Sequence, residues 1–400
     1  MLFSLSLILI LGFSLSGIFN RLRLPGLLGM ILTGIILGPY ALNLISPDIL
    51  DISSDLREIA LIIILTRAGL NIDIKDLKKV GRPAILMCFV PALFEITAVT
   101  LLAPLFFNIS YIEAAIMGSV LAAVSPAVIV PRMIHLIDSG YGKDKSIPQL
   151  IMAGASVDDI FVIVLFASFM GMYGGEGFNP TSLLLVPVSI ISGMGLGIIS
   201  GFIFVKVFKA IHVRDTVKVL IMLSIAFLFV SLEDFIKPYF PVSGLLAVMA
   251  FSATILSTYE VLAKRITGKF SKIWVAAEVL LFVLVGAAVD ISYLKGAGIA
   301  SIVFILSALV FRIVGVNVSL LGTSLDKKER IFCSIAYLPK ATVQAAIGAV
   351  PLAAGVGAGN LIMTVAVVAI LISAPLGAIG VDNTYKKLLQ KSKTAFSQIP

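Results

Sequence analysis

Two adjacent carboxylates, Asp158 and Asp159, lie inside an otherwise apolar run of residues, AGASVDDIFVIVLFASFM. A run of this length and hydropathy is typical of a helix that spans a lipid bilayer. A charge near the bilayer centre costs about 2.5–3.5 kcal/mol on insertion scales, so acidic side chains in such a helix usually serve a function. At this depth carboxylates form ion sites and proton relays, and we expect such a role here.

The two carboxylates are expected to play different roles. Consecutive residues of an α-helix point about 100° apart, so the pair cannot act as one symmetric set of ligands. One carboxylate can face a water-filled cavity and bind a hard cation through oxygen, while the other faces a neighbouring helix and a basic partner. A site that holds either a proton or a sodium ion, never both, exchanges them. The alternative is an acidic pair near the cytoplasmic surface, because the span begins near Ile147.

Three further charged side chains lie near the middle of predicted spans and need partners there. Glu95 and Arg312 occupy the middle of the fourth helix in each half of the chain, and we predict a buried ion pair between them. The alternative is that each finds separate backbone or water partners. Lys340 directly follows Pro339, so it can neutralise the two aspartates or the exposed ends of half-helices. The alternative for Lys340 is a side chain that extends to the membrane interface.

Two predicted spans carry a proline near their centre. Ser125 and Pro126 lie in MGSVLAAVSPAVIVPRM, and Pro339 and Lys340 lie in CSIAYLPKATVQAAIGAVPLA. Proline lacks an N–H donor and clashes with the carbonyl one turn earlier, so each helix should break or unwind there. Non-helical backbone at membrane depth is tolerated only where it is buried in protein or lines a cavity. A matched pair of broken helices therefore indicates a binding site near the bilayer midplane.

These residues belong to a chain of 400 that is 59% hydrophobic and 13% charged. Soluble domains carry roughly 25% charged residues, so the composition predicts an all-α polytopic membrane protein. Motifs of nucleotide-binding loops, zinc proteases and serine hydrolases are absent from the sequence, and no cofactor is predicted. Apolar stretches long enough to span a bilayer predict about thirteen helices, at 1–19, 25–41, 55–71, 82–105, 111–136, 148–172, 182–209, 215–236, 239–256, 273–290, 297–321, 328–352 and 357–380.

The basic residues set the predicted topology. Cytoplasmic loops of membrane proteins carry an excess of Lys and Arg. With the N-terminus outside and the C-terminus in the cytoplasm, 24 of the 30 Lys and Arg residues fall in cytoplasmic segments. The net charge of +8 is then spread over seven segments, which argues against a surface for nucleic acid. We therefore expect a multi-pass protein of the cell (inner) membrane.

Short loops predict a single membrane domain over 1–400. Thirteen spans suggest two six-helix halves joined by one linking helix. Because the linking helix crosses the membrane once, the second half begins on the opposite side and is inverted relative to the first. Similar strings close the third helix of each half, LTRAGLNID (65–73) and LVGAAVDIS (284–292), which favours the arrangement. The predicted bounds are 1–172 for the first inverted repeat, 182–209 for the linking helix, 215–380 for the second repeat and 381–400 for a short cytoplasmic tail.

Together these motifs are similar to those of a known family. The chain resembles the sodium/proton exchangers of the cation:proton antiporter superfamily, most closely the NHA-type branch. The resemblance lies in the break at Ser125-Pro126, the following helix with SVDD, and a late helix reading LPKATVQAAIGAVPL. The resemblance includes ILTRAGLNID and LLFVLVGAAVDIS and covers essentially the whole chain. It implies a homodimer in which a core domain with two crossed broken helices moves against a dimerisation domain, in elevator-like alternating access.

The resemblance also assigns roles to individual residues. Asp159 matches the ion-carrying carboxylate of the family, and Asp158 matches its acidic neighbour. The expected site comprises Asp158, Asp159 and Ser125 as ligands of Na⁺ or Li⁺, Pro126, Pro339, Lys340 and Thr342 for the helix breaks and charge compensation, and Glu95 with Arg312 as a buried ion pair.

One residue departs from the family pattern. Antiporters of this superfamily that carry two acidic residues and move net charge usually have a lysine where this sequence has Arg312. A buried lysine can release its proton, whereas an arginine stays protonated. The two aspartates therefore favour two protons per cation and Arg312 favours one, so the sequence leaves the stoichiometry open.

The sequence thus predicts a transporter and not an enzyme. The favoured function is a monovalent cation/proton antiporter that exchanges Na⁺ or Li⁺ for H⁺, with roles in sodium tolerance and pH homeostasis. A sodium-coupled organic-solute symporter of similar fold and a K⁺/H⁺ antiporter are the alternatives, and the symporter would need a larger polar cavity. An intramembrane aspartyl protease would need two acids that face each other from different helices, whereas adjacent acids on one helix diverge.

Overall fold

A computed structural model of the chain describes residues 1–71, 81–173, 180–236, 240–289 and 291–392. Over these residues the chain is helical, and the β-pairing found there is an isolated bridge between Tyr141 and Lys391. Four basic residues that support the predicted topology lie outside the described residues, namely Lys75, Lys78, Lys79 and Lys393, and so does Lys237, which the prediction places on the outer side. The helices are α1 (Leu2–Arg21), α2 (Gly26–Leu37), α3 (Pro47–Asp51), α4 (Ser53–Gly69), α5 (Arg82–Met87), α6 (Val90–Phe107), α7 (Tyr111–Ala122), α8 (Pro126–Ser139), α9 (Ile147–Tyr173), α10 (Pro180–Ala210), α11 (Asp215–Ile236), α12 (Gly244–Thr258), α13 (Glu260–Ala287), α14 (Ile291–Ser319), α15 (Lys327–Ala336), α16 (Thr342–Ile347), α17 (Val350–Ala353) and α18 (Gly359–Leu388).

Each predicted span coincides with one helix or with an interrupted run of helices. In the described part of the chain, nine helices are long and apolar enough to cross a membrane, and three shorter apolar helices accompany them. The prediction of an all-α polytopic membrane protein is therefore confirmed. Several bounds differ from the prediction. Helix α13 begins at Glu260, well before the predicted start at residue 273. The fourth span is divided at Cys88 and Phe89, because Pro91 favours a new helix start, and α18 continues to Leu388 where the prediction ended near residue 380.

The helices form two compact units. The first unit contains all the candidate site residues named from the sequence. The first unit comprises Met1–Ser46, Asp73–Phe169 and Phe282–Pro400, and the second comprises Pro47–Ile72 and Met170–Leu281. In both units, statements about structure refer to the described residues alone.

Small residues allow two helices of the second unit to approach closely. Helix α10 packs along α12. A Cβ atom added at Gly193 would overlap the carbonyl oxygen of Ser243, and one at Gly197 would overlap that of Ala247. The regular spacing of these glycines along α10 therefore serves helix packing, as small residues do in membrane proteins generally.

The interior of the first unit is not purely apolar. In this unit α6 packs against α7 and α14, and α18 packs against α14 and α15. Among its largest fully buried side chains are Arg312, Tyr337 and Lys340. A buried cation is tolerated only where it is paired and hydrogen-bonded, so these helices must also enclose the matching anions.

Two helices of the first unit are broken where the prolines predict. Helix α7 ends at Ala122 and α8 begins at Pro126, while α15 ends at Ala336 and α16 begins at Thr342. The amide of Ser125 donates a hydrogen bond of 2.8 Å to the carbonyl oxygen of Pro339. The two breaks therefore contact each other, as the crossing of broken helices implied by the family resemblance requires.

Candidate functional site

Asp158 on α9 links the first break to a buried cation. Its Oδ2 accepts a hydrogen bond of 2.8 Å from the amide of Val124 and one of 3.0 Å from Nη2 of Arg312. The carboxylate is fully buried. Asp158 is therefore the member of the acidic pair that faces a basic partner, and the angle between consecutive helical side chains turns Asp159 in another direction.

Arg312 on α14 contacts both halves of the site. Its Nη1 donates to Oε2 of Glu95 at 2.8 Å, and its Nε donates to the carbonyl oxygen of Tyr337 at 2.6 Å. Nη1 also donates to the carbonyl oxygen of Ala122 at the end of α7. The structure thus brings Glu95 and Arg312 together, and it adds a second carboxylate, that of Asp158, which the sequence analysis did not assign to this arginine. A planar guanidinium with five donors is suited to several acceptors at once.

Lys340 pairs with Glu95 and forms no hydrogen bond to either aspartate among the described contacts. Its Nζ lies 2.7 Å from Oε1 and 2.8 Å from Oε2 of Glu95, and it also donates to the carbonyl oxygen of Leu121. Of the two expected roles, the structure shows compensation of a helix end and does not show direct pairing with the aspartates. The reason is that Arg312 already forms an ion pair with Asp158, while the backbone at the second break places Lys340 beside the last turn of α7.

Glu95, Asp158, Arg312 and Lys340 form a network with two acidic and two basic side chains. All four are at most 1% exposed, and the ion pairs that join them are 2.7–3.0 Å long. When all four are ionised their charges sum to zero, which is the condition under which buried charges are tolerated. The network therefore contributes no net charge of its own, and Asp159 adds one further carboxylate beside it.

Asp159 and two hydroxyl groups present buried oxygen atoms that the protein leaves unsatisfied. Within the described part of the chain, Asp159 Oδ1, Ser125 Oγ and Thr342 Oγ1 have no hydrogen-bond partner, and neither does Oδ1 of Asp158, whose other oxygen is bound by Arg312 and Val124. Ser125 lies in the first break and Thr342 opens the helix after the second. Carboxylate and hydroxyl oxygens are the donor atoms that hard cations prefer. Each of these oxygens is therefore of the type that binds a small dehydrated cation.

Two residues of the site were missed by the sequence analysis. Tyr337 gives its carbonyl to Arg312, and its ring centroid lies 5.6 Å from the guanidinium carbon. The side-chain amide of Gln344 donates to the carbonyl oxygens of Leu121 and Ala123. A glutamine in an otherwise apolar half-helix directly after a proline break was the available signal for Gln344, whereas the role of Tyr337 depends on its backbone and carries no side-chain signal.

The replacement Gly154→Ala is expected to destabilise the protein through Tyr337. Gly154 lies one turn before Asp158 on α9, and a Cβ added there would overlap the hydroxyl of Tyr337 and approach Cβ of Met87 to 3.0 Å. Tyr337 is fully buried, so the clash should cost about 1–3 kcal/mol of stability and lower the melting temperature in detergent.

Adding Tyr337→Phe to Gly154→Ala should restore much of the loss, because the overlapping hydroxyl is removed and its hydrogen bond to Met87 is a long one of 3.5 Å. Gly171→Ala on the same helix is the matched control, since among the described residues a Cβ there would meet nothing within 4 Å apart from its chain neighbours and the backbone of its own helix. An unchanged melting temperature in Gly154→Ala would contradict this packing.

The matches to known proteins define the class of the protein as a membrane ion transporter. The chain shares its fold with the structure of the sodium proton antiporter MjNhaP1 from Methanocaldococcus jannaschii at pH 8, with a TM-score of 0.85 and 22% sequence identity over 96% of this chain and 97% of that chain. The family model described as "Sodium/hydrogen exchanger, transmembrane" matches residues 5–386.

Three curated relatives agree with the family match. The chain is 35% identical to sodium/hydrogen exchanger 9B2 of Mus musculus over 92% of this chain and 69% of the relative. It is 36% identical to the protein of the same name in Homo sapiens over 92% and 70%, and 33% identical to human sodium/hydrogen exchanger 9B1 over 92% and 73%. The chain therefore belongs to the sodium/hydrogen exchanger family, and the family expected from the motifs is confirmed.

Proposed function

We propose that the protein is a secondary active antiporter that exchanges Na⁺ or Li⁺ for H⁺ by competing binding of the two at Asp159, beside Asp158. The observation that carries the proposal is a buried carboxylate oxygen without a protein partner next to a charge-balanced network. An unpaired buried carboxylate is costly, and either a proton or a cation removes that cost. Because each ligand neutralises the same group, binding of one excludes the other.

The contacts of Asp158 support one proton per cation. Its Oδ2 already accepts from Arg312 and from the amide of Val124. An arginine stays protonated at all ordinary pH values, so Asp158 keeps a permanent counter-charge and has less need of a proton. On this basis Asp158 fixes the position of the first break, and Asp159 carries the exchanging ligand.

The family membership and the shared fold support the remaining parts of the proposal. We include elevator-like alternating access, a homodimer, and a location in the cell membrane with the N-terminus outside and the C-terminus in the cytoplasm. The inverted repeats at 1–172 and 215–380 and the linking helix at 182–209 are part of the same proposal.

The decisive experiment measures exchange in proteoliposomes that contain a pH-sensitive dye. The purified protein is reconstituted, a proton gradient is imposed, and NaCl, LiCl, KCl or choline chloride is added in turn. We expect dye recovery with Na⁺ or Li⁺ and none with choline. With one proton per cation, clamping the voltage with potassium and valinomycin should leave the rate unchanged, whereas two protons would make the rate depend on voltage.

The same assay separates the alternatives. Recovery with KCl in place of NaCl and LiCl would identify a K⁺/H⁺ antiporter. Absence of recovery with every cation would contradict antiport and favour a sodium-coupled symporter of organic solutes. Protein-free liposomes measure the passive leak in each case.

A further inference from the structure

Three consecutive carbonyl groups at the end of α7 accept hydrogen bonds from side chains of the second broken segment and of α14. Lys340 donates to Leu121, Arg312 donates to Ala122, and Gln344 donates to Leu121 at 3.1 Å and to Ala123 at 2.9 Å. A helix end leaves its last carbonyls without partners in the helix, and these side chains supply the missing donors.

The break explains why these donors are needed. In a continuous helix the carbonyls of Leu121 and Ala122 would accept from the amides of residues 125 and 126. Residue 126 is a proline and has no N–H, and the amide of Ser125 donates to Pro339 instead. The orientation of this backbone therefore depends on side chains that come from elsewhere in the chain.

Gln344 differs from the other two donors because it is neutral. It is 1% exposed, and its Oε1 has no partner among the residues the structure describes. Turning the amide over would place Oε1 against the two carbonyl oxygens, so the contacts establish which side of the amide faces the break. The hydrogen bonds of Gln344 to the backbone do not depend on a neighbouring carboxylate, whereas Arg312 and Lys340 each also form ion pairs with carboxylates.

Of the three carbonyls, that of Ala123 lies nearest along the chain to the proposed ligand Ser125. The next residue, Val124, donates its amide to Asp158, and Ser125 follows with its unsatisfied hydroxyl. Of the three side-chain donors, Gln344 is the one that binds Ala123. A change at Gln344 should therefore alter where the amide of Val124 and the hydroxyl of Ser125 are presented.

We infer that Gln344 is a positioning residue of the cation site, which holds the first break in the geometry that discriminates between monovalent cations of different size. The inference rests on the proposed cation exchange and deepens it. A small cation is distinguished from a slightly larger one by the spacing of its oxygen ligands, so relaxation of the break should change relative affinities as well as rates.

The test compares KM for Na⁺ and Li⁺ in the wild type and in Gln344→Met, a variant of similar shape that lacks both donors. We expect an increase of about tenfold in KM for one cation, a smaller change for the other, and a lesser effect on kcat. Gln344→Asn keeps the amide on a shorter side chain and should recover part of the wild-type ratio. Gln149→Met on α9 makes the same chemical change away from the breaks and should leave the ratio as it is.

Distinct outcomes separate this inference from the proposed function. If the wild type shows no exchange with any cation, the proposed function itself fails. If the wild type exchanges and folded Gln344→Met keeps the wild-type ratio of KM values, the positioning role is overturned, because a merely structural contact would lower stability without moving the ratio. Should Gln344→Met fail to elute as a single species, the same ratio is measured in Gln344→Leu, which also lacks both donors and adds no charge.

Discussion

Asp159→Asn is expected to reduce cation-dependent proton exchange to the level of protein-free liposomes while the protein remains folded and inserted. Asparagine has nearly the shape of aspartate but binds no exchangeable proton and offers a cation no negative charge. Oδ1 of Asp159 has no hydrogen-bond partner in the described part of the chain, so the fold should lose little when the charge is removed. Removal of a buried charge that lacks a partner can even stabilise a protein.

The measurement is dye recovery after addition of NaCl or LiCl, together with size-exclusion elution and the melting temperature in detergent. Asp138→Asn, an exposed change of the same type on α8, is the control and should exchange as the wild type does. Asp158→Asn should behave differently from Asp159→Asn, because it removes a partner of Arg312 and should lower the melting temperature. Normal exchange in a folded Asp159→Asn protein would remove the central claim of the proposed function.

The positions of the two breaks could be predicted because their cause is local. Pro126 and Pro339 cannot donate a backbone hydrogen bond, and the helices end within a few residues of them. The division of the fourth span at Cys88 and Phe89 was harder to foresee, since Pro91 is compatible with the first turn of a helix and gives no sign that another helix precedes it.

The partners of the charged residues could be predicted only in part. Glu95 and Arg312 could be matched because both lie in the middle of apolar spans, where a charge requires a counter-charge. Whether Lys340 pairs with Glu95 or with the aspartates depends on how three separate helices and a break pack together. The hydropathy of the sequence carries no information about that packing. A polar Gln344 directly after a proline break was a signal of some role, but the role itself could not be predicted, since its acceptors are backbone carbonyls at the end of another helix.

Arg312→Met is expected to cause the largest loss of stability among single changes in the charged network, about 3–5 kcal/mol. The change leaves the carboxylates of Glu95 and Asp158 with one cation, Lys340, and it also removes the donors to the carbonyls of Ala122 and Tyr337. All of these groups are buried, so water cannot replace the lost contacts without disrupting the fold.

Two double variants distinguish this network from an isolated ion pair of Glu95 and Arg312. Adding Asp158→Asn to Arg312→Met leaves Glu95 and Lys340, which are already in contact at 2.7 Å, as a balanced pair. This variant should therefore melt at a higher temperature than Arg312→Met alone. Adding Glu95→Gln instead leaves Asp158 and Lys340, which share no direct ion pair among the described contacts, so it should recover less. The measurement is the melting temperature of each purified variant in one detergent.

The control is Arg132→Met, which removes an ion pair to the half-exposed Asp382 and should cost no more than about 1 kcal/mol of stability. Melting shifts that simply add in both double variants would show that the four charges act independently, because coupled buried charges must give a smaller loss together than the sum of their single losses.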